Sequence, residues 1–379
     1  MDLVCFSHLR WNFVYQRPQH LLNRFTKTYR VFYIEEPIYN SENKNYYHVS
    51  SIANNLLVVV LHLEHNLSED QSIIIQRDLL NQLFHDHNIL NYWFWYYTPM
   101  ALTISNQFNP RLILYDCMDE LSAFKFAPPS LKNLENELFQ KADIVFTGGY
   151  SLYDSKKTSH HNIYPFPSSI DKDHFAKARG IMQTPADQAA IPGPRFGFYG
   201  VLDERFDLEL LAEVASRKPE WQFIIIGPVV KIDQGNLPIL SNIHYLGSKN
   251  YDELPAYLNG WDIAIIPFLL NDSTRYISPT KTPEYLAAGK PVISSSIADV
   301  VNPYAINNLV MIADNADDFI KVAEKELNIS DKSKWLEDVD ILLSDISWDK
   351  TWLDMAQIIE NTMTGKKNLL TPLNEEVYV

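Results

Sequence analysis

Several things the sequence has little of exclude large classes of protein. Only two of its 379 residues are cysteines, Cys5 and Cys117, too few for a disulfide scaffold and consistent with a reducing compartment. The opening MDLVCFSHLRWNF lacks the basic start and long apolar stretch of a secretory leader. No apolar run approaches the ~20 residues that cross a bilayer. The longest, NYWFWYY at 91–97 and DIAIIPFLL at 262–270, are strand-sized. A soluble, cytoplasmic protein is expected. Basic residues are scarce, 32 against 47 acidic for a formal net charge of −15, which argues against nucleic acid as a partner.

Familiar chemical signatures are missing too. There is no GxxxxGK[ST] phosphate loop, no GxGxxG fingerprint and no GxSxG nucleophile elbow. The pairs His62/His65, His85/His87 and His160/His161 lack companion ligands at zinc spacing, so no metal site is expected.

What is present is ordinary globular composition: 46% hydrophobic, 21% charged and 13% aromatic. At roughly 150 residues per domain the length implies two domains. Residues 1–180 carry a net charge of −2 and the remainder −13, as two domains meeting different partners would. Short β-like runs alternate with helical stretches, the pattern of parallel sheets covered by helices. Strands are expected at 2–7, 31–35, 56–62, 91–97, 111–115 and 143–147, then at 196–200, 223–227, 243–247, 262–268 and 291–295. Helices are expected at 18–28, 70–87, 130–141, 207–217, 316–328, 331–344 and 348–363. Between the two series lies AKARGIMQTPADQAAIPGPR, rich in Ala, Gly and Pro and without apolar period. The expected organisation is therefore an N-terminal domain over 1–175, a linker over 176–194, and a C-terminal domain over 195–346. A C-terminal helix follows at 347–365 and a tail at 366–379. Two doubly wound α/β domains of this kind bind ligands at the strands' carboxyl ends, which places the site in the cleft between them.

Four stretches carry candidate chemistry. In RYISPTKTPEYLAAGKPVISSS (275–296), Thr282 suits an N-cap, Pro283 the first helical position and Glu284 the first turn. The loop Ser278-Pro279-Thr280-Lys281 then presents hydroxyls, an ammonium and backbone N–H groups, a set that suits phosphate. A glutamate in a first turn can equally be a cap, and a lone lysine beside it solvated. In GFYGVLDERFD (197–207), Gly200 permits close backbone approach and Arg205 can grip phosphate oxygens or pair with Asp203 or Asp207. After the first strand, His8, Arg10, Trp11 and Arg17 cluster at a carboxyl end, where a connecting loop needs no such set. Asp116 and Asp119 follow another strand and can hold sugar hydroxyls or cap a helix.

Together these segments resemble a known family. SPTKTPEYLAAGKPV resembles the donor-binding signature of retaining glycosyltransferases with two Rossmann-like domains, the GT-B fold, and of family 4 in particular. NIHYLGSKNYDELPAYLNGWDIAIIPF (242–268) and PFPSSIDKDHF (165–175) resemble flanking segments of that family, and SHLRW…QRPQHLL resembles a bacterial surface-polysaccharide subgroup. The resemblance implies transfer of a sugar from a nucleoside diphosphate, UDP favoured, with retention and without cofactor or metal. The acceptor it implies is a saccharide or lipid-linked oligosaccharide, met at the inner membrane face with peripheral contact. It assigns Glu284 to the ribose, as the second glutamate of E-x7-E; Tyr276 stands where the first would be. Arg205 and Lys281 would face the leaving diphosphate, with Asp116 and Asp119 near the reacting sugar. Gly200, Glu204, Gly247, Ser248, Ser278, Pro279 and Thr280 would line the donor site, and His8, Arg10, Trp11 and Arg17 the acceptor side. A nucleotide-sugar epimerase or hydrolase, or a non-catalytic sugar-nucleotide-binding scaffold subunit, are the alternatives.

Overall fold

The structure, a computed structural model, describes residues 1–42 and 44–370. The first sheet contains β1 (Asp2–Ser7), β2 (Arg30–Glu35), β3 (Ile38–Ser41), β4 (Tyr46–Ala53), β5 (Leu56–Glu64), β6 (Tyr92–Tyr96), β7 (Ile113–Cys117), β8 (Ile144–Thr147) and β9 (Ile163–Pro165). From β5 inward the order is β5-β2-β1-β6-β7-β8-β9, all parallel, with β3 continuing along β5 and β4 antiparallel on its outer side. The second sheet, β10 (Arg195–Tyr199), β11 (Gln222–Ile226), β12 (Ile243–Gly247), β13 (Ile263–Ile266), β14 (Val292–Ser294) and β15 (Val310–Ile312), is parallel throughout in the order β12-β11-β10-β13-β14-β15.

Central strands such as DLVCFS and QFIII are buried on both faces, which is why they read as unbroken apolar runs. The edge strand β4 is largely exposed and turns into β5 at Asn55, whose φ of 63° suits a tight hairpin. In each sheet the strand order reverses beside its first strand, between β1 and β6 and between β10 and β13. These are the switch points where loops diverge and leave a crevice.

The boundary between the domains differs from the expected one. Ile170, Phe175, Ala178 and Ile191 are buried in the core of the second domain, and Gln188 Nε2 and Oε1 bond the Tyr257 carbonyl and Trp261 Nε1. The Ala/Gly/Pro-rich stretch is thus packed structure, and the chain leaves the first domain just after β9, at 166–169. It returns at Trp348, which opens a helix running to Leu370; Trp348, Met355 and Ile359 bury against Leu21, Leu22 and Phe25 of the first domain. The two crossings touch, with Trp348 N donating to the Ile170 carbonyl at 3.2 Å. The expected tail at 366 begins within this helix, and 371–379 lie outside the described residues. Among the described residues no helix is long and apolar enough to cross a membrane.

Candidate functional site

The loops leaving β1, β7 and β10 meet the loop before the helix Lys281–Ala287, and two adjoining cavities form there. The smaller, about 170 Å³, is lined by Arg17, Asp119, Arg205, Ser278, Thr280 and Lys281, among others. The larger, about 280 Å³, is lined by Trp11, Tyr15, Gly227, Ser248, Asn250 and Tyr251. Val14, Tyr199 and Gly200 line both.

Gly200 is what lets Lys281 reach this place. Its φ is +140°, and a Cβ there would lie 2.4 Å from Lys281 Cε and 2.7 Å from Nζ. The Lys281 ammonium sits over the rings of Phe198 and Phe268, at 5.3 and 5.7 Å, and has no ion pair among the described residues. Burial, reinforced by the neighbouring Arg205 charge, pulls its pKa well below the ordinary lysine value. Glu284, one turn along the same helix, is pushed above the usual carboxylate range by burial, against the opposing effects of Tyr199 and Lys281. Its Oε2 accepts a 2.5 Å hydrogen bond from the Tyr199 hydroxyl. Thr280, not Thr282, precedes the helix; Thr282 is inside it and its buried hydroxyl finds no partner among the described residues.

Arg205 is gripped in two-point fashion by Asp203, Nε to Oδ1 at 2.9 Å and Nη2 to Oδ2 at 2.6 Å. Its face lies 5.3 Å from the ring of Phe124, which reaches across from the first domain; Lys231 flanks the same ring at 5.1 Å. Burial raises the Asp119 carboxyl above its ordinary pKa, with Arg205 opposing.

Other expected site residues have different work. Asp116 is fully buried and paired with Arg17, whose Nε and Nη2 lie 3.0 and 2.9 Å from its two oxygens. It is therefore not free to hold a sugar, whereas Arg17 lines the smaller cavity with Arg205 and Lys281. Arg10 bonds Glu35 and the carbonyls of Glu36 and Pro37, bracing the end of β2 instead of facing either cavity. His8 lines neither; its Nδ1 is buried without a hydrogen-bond partner among the described residues, and burial lowers its pKa to about 4. Trp11 lines the larger cavity, fixed by its backbone N–H on Glu35 and by edge-on contact with Tyr33. Glu204 accepts from the Lys125 backbone N–H at 3.2 Å across the cleft and lines neither cavity. Gly247, at φ +68°, accepts from Gly227 N, and Ser248 beside it faces the larger cavity. Ser278 ties the domains together through Ser168, whose Oγ donates to its carbonyl at 2.5 Å.

Sequence reasoning passed over Tyr199, Tyr15 and Tyr251. Tyr15 and Tyr251 stack across the cleft at 4.6 Å. The signal for Tyr199 was its place directly before Gly200, at the end of a buried strand. Asp299 was passed over as well: from the second domain it accepts the backbone N–H groups of Tyr150 and Ser151, each at 2.9 Å.

Comparison with known proteins agrees with this arrangement. Residues 193–328 match the family described as Glycosyl transferases group 1. Over 255 residues the chain is 26% identical to TuaH of Bacillus subtilis (strain 168), whose description as a teichuronic acid biosynthesis glycosyltransferase is itself provisional. That match spans 62% of this chain and 63% of the relative's length. Among solved structures, sucrose-phosphate synthase from Thermosynechococcus elongatus superposes with a TM-score of 0.72 at 13% identity, covering 96% of this chain and 99% of that one. Anabaena Alr3699/HepE, solved with UDP and glucose, gives 0.68 at 12% identity, covering 95% and 99%. These likenesses establish the fold: two parallel-sheet α/β domains arranged as in the GT-B glycosyltransferases.

Proposed function

We propose that the protein is a retaining, metal-independent glycosyltransferase that moves a sugar from a nucleoside diphosphate, UDP favoured, to a saccharide or lipid-linked acceptor in building a bacterial surface polysaccharide. The observation that carries this reading is the convergence of Arg17, Arg205 and Lys281 on one small cavity at the strands' carboxyl ends. Lys281, without an ion pair among the described residues, is the cation open to a diphosphate, while Arg17 and Arg205 reach the same cavity already paired with Asp116 and Asp203; the wider cavity beside it, walled by Trp11, Tyr15 and Tyr251, suits a base and ribose. The Glycosyl transferases group 1 match, over residues 193–328, contains Arg205, Lys281 and Glu284. Support for UDP comes from fold neighbours solved with UDP and glucose or with UDP-2-fluoro glucose.

In the proposed step the bond from the sugar's anomeric carbon to the β-phosphate oxygen breaks, and its electron pair leaves with the phosphate. The acceptor hydroxyl oxygen bonds the same carbon from the same face, and its proton passes to the departing phosphate oxygen. Charge builds on the diphosphate, so fixed cations aimed there lower the barrier. Lys281, held partly toward its neutral form, gains most from that charge. Glu284 lines neither cavity; its carboxylate accepts from Tyr199, which lines both, and the ribose role we assign it rests on its match to the second glutamate of E-x7-E. The proposed location is the cytoplasmic face of the membrane.

The test is a melting-temperature panel of UDP, GDP, TDP, ADP and CMP, with and without EDTA. A rise with UDP that is indifferent to chelator is expected. No rise with any nucleotide refutes the donor-site assignment.

A further inference from the structure

A separate cavity of about 720 Å³ opens in the first domain, well within the size range of small-molecule sites. It lies over the carboxyl ends of β1, β2 and β6, bounded by Ser7, Glu35 and Thr98, where the strand order of the first sheet reverses. Its neighbour is the donor site: Glu35 forms part of its wall, and one oxygen of the same carboxylate accepts the backbone N–H of Trp11, which lines the larger cleft cavity.

The lining is suited to a sugar. Tyr39, Ser72 and Gln76 form a hydrogen-bonded chain along one side, the tyrosine and serine hydroxyls 2.7 Å apart and Gln76 Nε2 3.0 Å from Ser72 Oγ. Phe6 and Met100 offer apolar surface against which a ring's C–H face can lie. The charges are one-sided. Glu35, Glu36 and Glu69 line the cavity, and no lysine, arginine or histidine does so among the described residues. Arg10 compensates Glu35 from outside the cavity and, with Lys231, also favours the charged form of Glu36, although neither Glu36 nor Glu69 forms an ion pair among the described residues. Arg77 is engaged by the Thr103 carbonyl and Asn106. At the start of the helix beginning at Glu69, the reciprocal cap between Ser68 and Gln71 takes up the amides of those two residues, and the first-turn amides it leaves belong to Glu69 and Asp70, both acidic.

We propose that this cavity seats the acceptor's sugar and selects by charge: it takes a neutral or amino sugar and rejects a uronate or a phosphorylated one. The proposal rests on the glycosyl-transfer reading for calling the ligand an acceptor, and on like-charge repulsion for the discrimination. The acceptor side is thereby moved from the loop of Arg10 and Arg17 to the opposite side of the β1 exit.

Saturation-transfer NMR with methyl glucoside, methyl glucosaminide and methyl glucuronide tests the proposal without requiring turnover. The first two are expected to bind at least about tenfold better than the glucuronide, equivalent to ~1.4 kcal/mol. Asn133→Trp, at the rim, should plug the cavity and abolish both signals. Glu36→Arg combined with Glu69→Arg should admit the glucuronide. Equal binding of all three, no binding of any, or signals indifferent to these substitutions overturns the proposal. The UDP melting shift, read on the same samples, reports the nucleotide site separately. Its absence with glycoside selection intact would count only against the transfer reading.

Discussion

Replacing Lys281 with methionine isolates one charge. Methionine keeps a stem to pack on Phe198 and Phe268, and the lost ammonium has no ion-pair partner among the described residues, although Glu284 loses a favourable neighbouring charge. Burial already disfavours that ammonium in the unliganded protein, so thermal stability should stay level or rise. Transfer should fall. One preorganised group aimed at developing charge contributes about 2–4 kcal/mol, or ~30- to 1000-fold in kcat. The pH dependence follows from the same shift. The lowered pKa means the native state holds fewer protons than the unfolded chain between Lys281's native value and the ordinary lysine value. Stability therefore rises with pH across that interval. Nucleotide binding runs the other way, because a diphosphate must recover the proton. Affinity for UDP should drop about tenfold per pH unit above the native Lys281 value, and Lys281→Arg should remove the dependence. The assays are steady-state transfer and UDP titration calorimetry from pH 6 to 10. Transfer by Lys281→Met within threefold of the parent, with flat UDP affinity in both proteins, refutes the reasoning.

Further substitutions address the surrounding framework. Asp116→Asn leaves the buried Arg17 guanidinium without its counter-charge and should cost about 3–5 kcal/mol in denaturant titration; a loss below 1 kcal/mol would mean that Arg17 finds another partner. Gly200→Ala places a Cβ against Lys281 at a strained φ, so about 1–3 kcal/mol of stability should go, and UDP binding with it. Glu284→Gln should weaken nucleoside diphosphate binding in calorimetry, while unchanged affinity would reduce Glu284 to a packing role. Asp299→Ala removes the acceptor for two backbone N–H groups of the other domain and should lower stability by about 0.5–2 kcal/mol, measurable by denaturation.

The sequence showed most clearly what is local and buried. Strands such as β1, β10 and β11 are covered on both faces, so burial itself writes the apolar run that identifies them. Edge strand β4 escaped because one face meets solvent and its residues are mostly polar. The stretch 176–194 resembled a linker because its anchors, Ala178, Gln188 and Ile191, are too sparse to make a period, although each is buried. Arg205, Lys281 and Glu284 drew notice because glycines and strand ends mark where backbone and ligand approach. What those charged groups do depends on partners far away in the chain. Arg17 finds Asp116 across 99 residues and Arg10 finds Glu35 across 25. No spacing rule distinguishes an arginine waiting for phosphate from one already satisfied.

The two crossings between the domains have a mechanical meaning. The chain passes outward at 166–169 and back at Trp348, and a hydrogen bond from Trp348 N to the Ile170 carbonyl fastens the straps side by side. A body hung from two adjacent straps can swing about the line through them but resists swivelling across it. Two straps side by side thus restrain the pair of domains in more directions than a single connection would. The body's free edge carries Phe124 against Arg205 and Lys231, while its hinge side keeps the Asp299 and Ser278 contacts shut.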